Sequence, residues 1–465
     1  MTTHVLTKWE PENAAFWNST GKTVANRNLW LSIPALLLAF AVWMVWSVVV
    51  VNLPNIGFKF NTAELFWLAS LPGLCGATLR IFYSFMVPIF GGRRWTAIST
   101  ALLLLPTVGI GIAVQNPATP YSSFVILALL CGFGGGNFAS SMANINFFFP
   151  KAQKGIALGL NAGLGNLGVS VVQFVVPLVI TAGVFGAMGG EPQTWSNLAK
   201  GGTETRAMWL QNAGYIWVPF IALTAIAAWF GMNDLASARA SFKEQAVIFK
   251  RKHNWLMCWL YLGTFGSFIG FSAGFPLLIK SEFPSINALS YAFLGPLVGA
   301  LVRPLGGWLA DKVGGAAVTF WNFIAMAAAV GGVLYFLPSG PSGGNFFGFL
   351  AMFMVLFANS GIGNGSTFRM IPVIFMTEQQ RLAKGKGPEA QEQAVKNANK
   401  EAAAVLGFTS AMAAYGGFFI PKSYGTSISM TGGPEAAFYM FIFFYLTCIV
   451  MTWWYYSRKN AEMPC

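Results

Sequence analysis

The sequence contains few charged residues and no cysteine pattern typical of a metal site or a disulfide framework. Only 9% of its 465 residues are Asp, Glu, Lys or Arg, against about a quarter in a soluble globular chain. The five cysteines lie far apart, at Cys75, Cys131, Cys258, Cys448 and Cys465. The apolar segments hold no evident base or metal cluster. An ordinary soluble protein is therefore excluded, and we expect no enzyme activity, no cofactor and no metal.

Apolar residues are abundant instead. They make up 55% of the chain and include 43 Phe and 17 Trp, which suits lipid contact and interfacial aromatic belts. The net charge of +13 could suggest a nucleic-acid partner. The basic residues, however, fall in short loops between apolar runs rather than in one patch. We therefore expect a membrane protein that contacts lipid and binds no nucleic acid.

Twelve apolar runs are long enough to cross a bilayer, which takes about 20 helical residues. They cover residues 29–53, 63–88, 95–114, 121–149, 155–185, 208–231, 254–278, 287–310, 316–337, 345–375, 401–421 and 435–457. The polar, basic segment 232–253 separates the sixth run from the seventh. The pattern predicts an all-α membrane protein with twelve transmembrane helices in two six-helix bundles, 1–231 and 254–465, joined by the linker 232–253. We expect a mobile outer loop at 186–206 and a partly helical inner loop at 377–400.

The positions of Lys and Arg predict the orientation. With the N-terminus inside, 20 of the 28 basic residues fall in inner segments, among them Arg93, Arg94 and Arg239. Five fall in outer segments, and Arg80, Arg303 and Arg369 lie within spans. This bias predicts that both termini are cytoplasmic.

Two arginines occupy matching places in the two halves. Arg80 lies in Leu74–Gly92 and Arg303 in Leu297–Gly315, and in each stretch a Gly-Ala pair precedes the arginine and a Gly-Gly pair follows it. The offset between the two stretches is the same at every matched position. Each arginine is 11 residues from its Gly-Gly loop, roughly 16 Å along a helix, or about half of the hydrocarbon core. The glycines of spans four and ten also repeat at a constant offset. Two such halves indicate a two-bundle transporter with a midplane site.

A charged residue at this depth costs about 2.5–3.5 kcal/mol on insertion scales, so it needs a partner. No Asp, Glu or His lies deep in any span. The missing counter-charge fits an anionic substrate, although the arginines could instead bond backbone carbonyls or snorkel. Arg369, near the inner end of span ten, is expected to snorkel. In span five, Gly155, Gly159 and Gly163 share one helix face, which predicts close helix packing.

Several polar and aromatic residues lie at cavity depth. Asn166 in span five, Tyr261 in span seven and Ser410 in span eleven are expensive in lipid unless they find partners. Phe138 and Phe265 could stack on a flat anion, although spacing alone does not single out these two among 43 phenylalanines.

At these residues the chain resembles the nitrate/nitrite porter family of the major facilitator superfamily, and its NarK-type bacterial branch in particular. Three segments carry the resemblance, at 136–145, 159–170 and 407–418, and the last two are similar to the paired nitrate-signature segments of the family. The chain departs from the pattern at 411–415, which is bulkier, and at 91–94, which lacks the Asp usual in this loop.

The resemblance implies a fold, a site and a function. Arg80 and Arg303 would clamp the anion, and Phe138 and Phe265 would sandwich it. Asn166, Tyr261 and Ser410 would add polar contacts. We expect a monomer in the bacterial cytoplasmic membrane that exchanges nitrate for nitrite by alternating access. Nitrate/proton symport and organic phosphate exchange stay open as alternatives, as does a membrane sensor without transport.

Overall fold

The structure is a computed structural model that describes residues 4–236, 238 and 246–465. Within these residues, twelve helices are long and apolar enough to cross a membrane, as the sequence predicts. They are α1 (Ala14–Asn52), α2 (Thr62–Tyr83), α3 (Gly92–Ala113), α4 (Tyr121–Phe148), α5 (Lys151–Val179), α6 (Asn212–Gly231), α7 (Lys252–Glu282), α8 (Ala288–Val313), α9 (Gly315–Phe336), α10 (Phe346–Ala383), α11 (Pro388–Thr431) and α12 (Glu435–Ser457).

Side-chain caps explain where several helices begin. The Asn13 side chain accepts hydrogen bonds from Ala15 N and Phe16 N, so α1 starts several turns before the predicted span. Asn61 and Glu64 form a capping box at the start of α2. The segment 377–400 is more helical than expected, because α10 runs to Ala383 and α11 begins at Pro388.

The described residues also contain four short strands. β1 (Val5–Leu6) pairs in parallel with β4 (Asp234–Leu235), and β2 (Gln193–Ser196) pairs with β3 (Thr205–Met208) as an antiparallel hairpin. The hairpin spans 193–208 and so covers most of the segment 186–206, which the sequence suggested only as a mobile loop. The Arg206 guanidinium stacks over the Trp195 ring at 4.2 Å and holds the two strands together.

The chain forms two compact units. Unit 1 comprises Met1–Arg239, Ser272–Leu297 and Gly417–Ser429, and unit 2 comprises Ala240–Phe271, Val298–Gly416 and Met430–Cys465. The division into bundles at 231 and 254 stays a prediction. Part of its linker, including Arg239 and Lys243, lies outside the described residues.

In unit 1, α2 packs against α4 and α1 against α5. The last part of α7 and the second half of α11 join this unit. The Gln173 amide donates to the Ser272 carbonyl oxygen at 2.8 Å, and the backbone of Gly417 lies directly against Gly73. Lys280, near the end of α7, is buried and donates to the Val51 carbonyl oxygen and to the Asn55 side chain.

In unit 2, α9 packs against α10 and α12, and α10 packs against α11. Glycines bring α8 and α10 together, because a Cβ on Gly361 would meet the Gly299 carbonyl oxygen and one on Gly365 would meet the backbone of Arg303. The helix that carries an arginine therefore lies on a glycine-rich helix in each unit.

Candidate functional site

Arg80 lies in an aromatic cage inside unit 1. Its side chain is fully buried, and Nε donates to the Gly135 carbonyl oxygen at 2.8 Å. Its guanidinium carbon lies 4.7 Å from the centre of the Phe138 ring, 5.0 Å from Trp43 and 5.9 Å from Phe40. These distances are within the range of cation–π attraction, so the aromatic rings stabilise the charge.

Small residues permit this cage. A Cβ on Gly76 would lie 2.5 Å from Trp43 Nε1 and 3.0 Å from the Cα of Gly135. The absence of both side chains allows the Trp43 indole to fit between α2 and α4. Trp43 Nε1 donates to the Pro72 carbonyl oxygen at 2.7 Å, which fixes the ring beside Arg80.

Arg303 lies in a different environment inside unit 2. Its side chain is half-buried, Nη2 donates weakly to the Tyr261 hydroxyl at 3.3 Å, and its guanidinium carbon is 5.5 Å from the centre of the Phe368 ring. Nη1 is buried and has no hydrogen-bond partner among the described residues. A buried guanidinium N–H without a hydrogen bond costs free energy, so this donor suits an acceptor atom of a bound ligand.

A π-helical turn positions the aromatic residues beside Arg303. Residues Leu262–Gly266 of α7 form this turn, a feature often found at functional sites. Tyr261 and Phe265 stack there with their centroids 5.5 Å apart and their planes at 12°. The stack continues to Phe268, whose ring lies 6.3 Å from that of Phe265.

The structure brings together some of the predicted site residues. Arg80 contacts Phe138 in unit 1, and Arg303 contacts Tyr261, which stacks on Phe265, in unit 2. Asn166 on α5 is buried, and its Oδ1 has no hydrogen-bond partner in the described part of the chain. An amide oxygen does not bind an anion, so a contact between Asn166 and the proposed ligand would use the Nδ2 donor.

Ser410 on α11 is also buried, and its hydroxyl donates to the Gly407 carbonyl oxygen of its own helix at 2.8 Å. This bond uses the proton of the Ser410 hydroxyl. The roles of all seven predicted residues in binding stay predictions.

Sequence reasoning missed three aromatic residues that face the arginines: Phe40, Trp43 and Phe368. The repeat contained a signal for them. Phe40 and Phe265 are related by nearly the same offset as the two arginines, and so are Trp43 and Phe268. The rings that face Arg80 from α1 therefore have counterparts on α7.

The glycine stripe on α5 behaves differently from the prediction. A Cβ on Gly155, Gly159 or Gly163 would meet nothing within 4 Å, so close packing is the wrong interpretation for these three in this structure. Tight contact begins just beyond them, where a Cβ on Gly165 would lie 2.6 Å from the Leu36 side chain.

Ion pairs lie at the helix ends. Arg369 pairs with Asp311, both half-exposed, so a carboxylate partner replaces the expected snorkelling. Arg251 pairs with Glu401 at 2.8 Å, and hydrogen bonding to this carboxylate raises the pKa of Arg251.

Across the described residues, no group of three or more His, Cys, Asp or Glu could hold a metal ion.

The loop that lacks the usual Asp obtains one from a distant segment. Asp234 Oδ1 accepts from Arg93 N at 2.8 Å, and Oδ2 lies 3.2 Å from Arg93 Nε. The preceding Gly91 has φ +88° and leaves the space that the carboxylate fills. At the matching place of the second half, Ala316 N donates to the Cys465 carbonyl oxygen at 3.0 Å after Gly314 with φ +94°. Each half thus caps its third helix with the segment that follows its sixth.

Comparisons with known proteins agree with these features. A family model described as Major Facilitator Superfamily matches residues 35–387. The chain is 54% identical to the nitrate/nitrite transporter NarU of Escherichia coli (strain K12), over 98% of this chain and 97% of that protein. It is 43% identical to the probable nitrate/nitrite antiporter NarK2 of Thermus thermophilus, over 99% and 98%.

A solved structure shares the fold alone. A bacterial homolog of the human lysosomal transporter Spinster, crystallised in an inward-facing and occupied conformation, aligns with a TM-score of 0.63 at 14% identity. The alignment covers 91% of this chain and 95% of that one.

Proposed function

Because the chain belongs to the nitrate/nitrite porter family of the Major Facilitator Superfamily, we propose that it is a secondary transporter that exchanges nitrate for nitrite. The relatives at 54% and 43% identity are named as transporters of these two anions, which supports the substrate class. The proposed location is the cytoplasmic membrane with both termini inside, in line with the distribution of Lys and Arg.

One observation carries the proposal: each repeat holds a guanidinium group among aromatic rings, at matching positions of the two halves. A guanidinium group is planar and presents parallel N–H donors that match the oxygens of a flat anion. Aromatic rings next to such a group limit the binding geometry to one plane. A small planar monovalent anion therefore fits better than a tetrahedral divalent one.

The same chemistry favours exchange. A buried charge that loses contact with water needs compensation, and the Arg303 Nη1 donor has none among the described residues. An anion that accepts from this donor lowers the cost of occlusion, so the loaded carrier should reorient faster than the empty one. Nitrate and nitrite can both fill this role.

Proteoliposomes test exchange directly. Liposomes loaded with nitrite should take up labelled nitrate, whereas empty liposomes should take up almost none, with or without a pH gradient. Equal, pH-driven uptake into empty liposomes would instead establish proton symport. A protein that binds nitrate but transports it under neither condition would be a sensor.

A double-variant cycle tests whether Arg80 and Arg303 bind the same anion. Groups that hold one ligand couple, so the losses of affinity in Arg80→Lys and Arg303→Lys should not add in the double variant. Additive losses would place the two arginines at independent sites.

A further inference from the structure

Three arginines of unit 1 surround a short segment after α6, and we call this set (Arg27, Arg93 and Arg94) the arginine corner. Arg27 Nη2 donates to the Asn233 side chain at 2.7 Å. Arg93 and Arg94 face the Asp234 carboxylate, with Nε–Oδ2 distances of 3.2 and 3.8 Å. The corner lies where α1, α3 and α6 meet, on the predicted inner side.

The corner has more positive charge than its own carboxylate can balance. Arg93 is buried and uses most of Asp234, because both its backbone N–H and its side chain donate there. The Arg94 side chain is 54% exposed, and its guanidinium lies near the limit of an ion pair. Arg27 contacts a neutral amide, the Asn233 side chain. Within the described residues, Arg27 and Arg94 thus give the corner a net positive charge.

An apolar groove lies beside this corner. It has a volume of about 280 Å³ between α3 and α6 and is lined by apolar residues of both helices, among them Ile98 and Ala101 on α3 and Ile226 and Phe230 on α6. The walls are exposed, with Phe230 at 69% and Ile226 at 56%. Trp229 joins groove and corner, because its ring lines the groove and its carbonyl oxygen accepts from Arg93 Nη1 at 2.7 Å.

Helical spacing aligns the charge with the groove. Arg94, Ile98 and Ala101 are four and three residues apart, so they share one face of α3. Ile98 and Ala101 line the groove, and Arg94 lies at its end, about 10 Å from Ala101 along the helix axis. In the orientation that the distribution of Lys and Arg predicts, Arg94 is at headgroup depth and the groove at the depth of the upper acyl chain.

We propose that the arginine corner and this groove bind one anionic phospholipid. Its phosphodiester oxygens accept from Arg94 and Arg27, and one acyl chain lies between Ile98 and Phe230. Basic pockets between membrane helices on the inner side recognise anionic headgroups in this way. A phospholipid satisfies both halves of the site, whereas inorganic phosphate leaves the groove empty and a neutral lipid leaves the charge unbalanced.

Three variants of the full chain test the site. Arg94→Gln removes the exposed charge. Ala101→Phe keeps that charge but fills the groove. Lys459→Gln is the matched control, since it makes the same charge change at an exposed position on the predicted inner side that does not line the groove. The measurement is the amount of phosphatidylglycerol that remains on purified protein during detergent exchange, counted by native mass spectrometry, with phosphatidylcholine as the neutral comparison.

We expect phosphatidylglycerol to remain on the native chain and on Lys459→Gln, and phosphatidylcholine to be lost from both. The apparent affinity for phosphatidylglycerol should fall about fivefold in Arg94→Gln, the effect of one arginine at a membrane surface, and it should fall similarly in Ala101→Phe. Equal retention of the two lipids, or equal loss in Arg94→Gln and Lys459→Gln, would overturn the proposal. Displacement of the lipid by inorganic phosphate would assign the corner to a soluble anion instead.

Discussion

Replacing Arg80 by lysine tests the central feature of the proposed function. The substitution keeps the positive charge and removes the planar group that faces Phe138 and Trp43 at 4.7 and 5.0 Å. It also removes the Nε donor that bonds the Gly135 carbonyl oxygen at 2.8 Å. An ammonium group cannot make both contacts and still offer parallel donors to an anion.

The structure allows an estimate of the loss. A hydrogen bond between the guanidinium and the anion contributes about 1.5–3 kcal/mol, and a cation–π contact that orients the guanidinium contributes about 0.5–2 kcal/mol. Since lysine keeps part of the second contribution, we expect a loss of about 2–3 kcal/mol in nitrate binding. This corresponds to an apparent affinity roughly 30- to 150-fold weaker.

The assay is nitrate counterflow in proteoliposomes over a range of nitrate concentrations. Arg369→Lys is the matched control, because Arg369 forms a half-exposed pair with Asp311 that a lysine can also form. Such pairs contribute about 0–1 kcal/mol, so this variant should stay within about fivefold of the native affinity. Thermal unfolding of both variants shows whether they fold. A folded Arg80→Lys protein with native affinity would remove Arg80 from the site.

Three further substitutions, the last with a matched control, probe other contacts. Trp43→Phe removes the indole hydrogen bond to the Pro72 carbonyl oxygen. The apparent affinity for nitrate should fall about fivefold, which corresponds to a loss of about 1 kcal/mol, while the protein stays folded. Unchanged counterflow would show that Trp43 does not position Arg80. Asp234→Asn leaves the buried Arg93 without its counter-charge, so the free energy of unfolding should fall by about 3 kcal/mol. The measurement is the midpoint of thermal unfolding, which should be lower than in the native chain. An unchanged midpoint would contradict this prediction. Gly165→Ala should lower the midpoint of thermal unfolding, because overpacking destabilises by about 1–3 kcal/mol. Gly159→Ala should leave the midpoint unchanged, because the added Cβ would meet nothing within 4 Å. Equal effects of the two variants would contradict the packing described.

The sequence was sufficient for the helices and for the arginines. Apolar run length predicts spans well, because the bilayer sets a minimum length. The repeat locates Arg80 and Arg303 without any contact information, since an unusual residue type recurs at one spacing. Both signals are local or periodic, so they can be read from the chain.

The cage around Arg80 could not be predicted in the same way. Trp43 is one of 17 tryptophans, and its contact with Arg80 depends on the space that Gly76 and Gly135 leave between two helices. Asp234 reaches the loop at Arg93 across 141 residues of sequence. Such contacts depend on how helices pack, which residue spacing along one helix does not define. The glycines of α5 show the same limit, since their spacing predicts a shared face but not what that face meets.

The two repeats provide similar groups in unequal environments. Arg80 is fully buried and donates to a backbone carbonyl, whereas Arg303 is half-buried and donates weakly to the Tyr261 hydroxyl. The difference originates in the helices that face them. Trp43 on α1 has a phenylalanine, Phe268, as its counterpart on α7, and α7 carries a π turn at this level. Because Arg303 is the less buried of the two guanidinium groups, an arriving anion should bind first to Arg303.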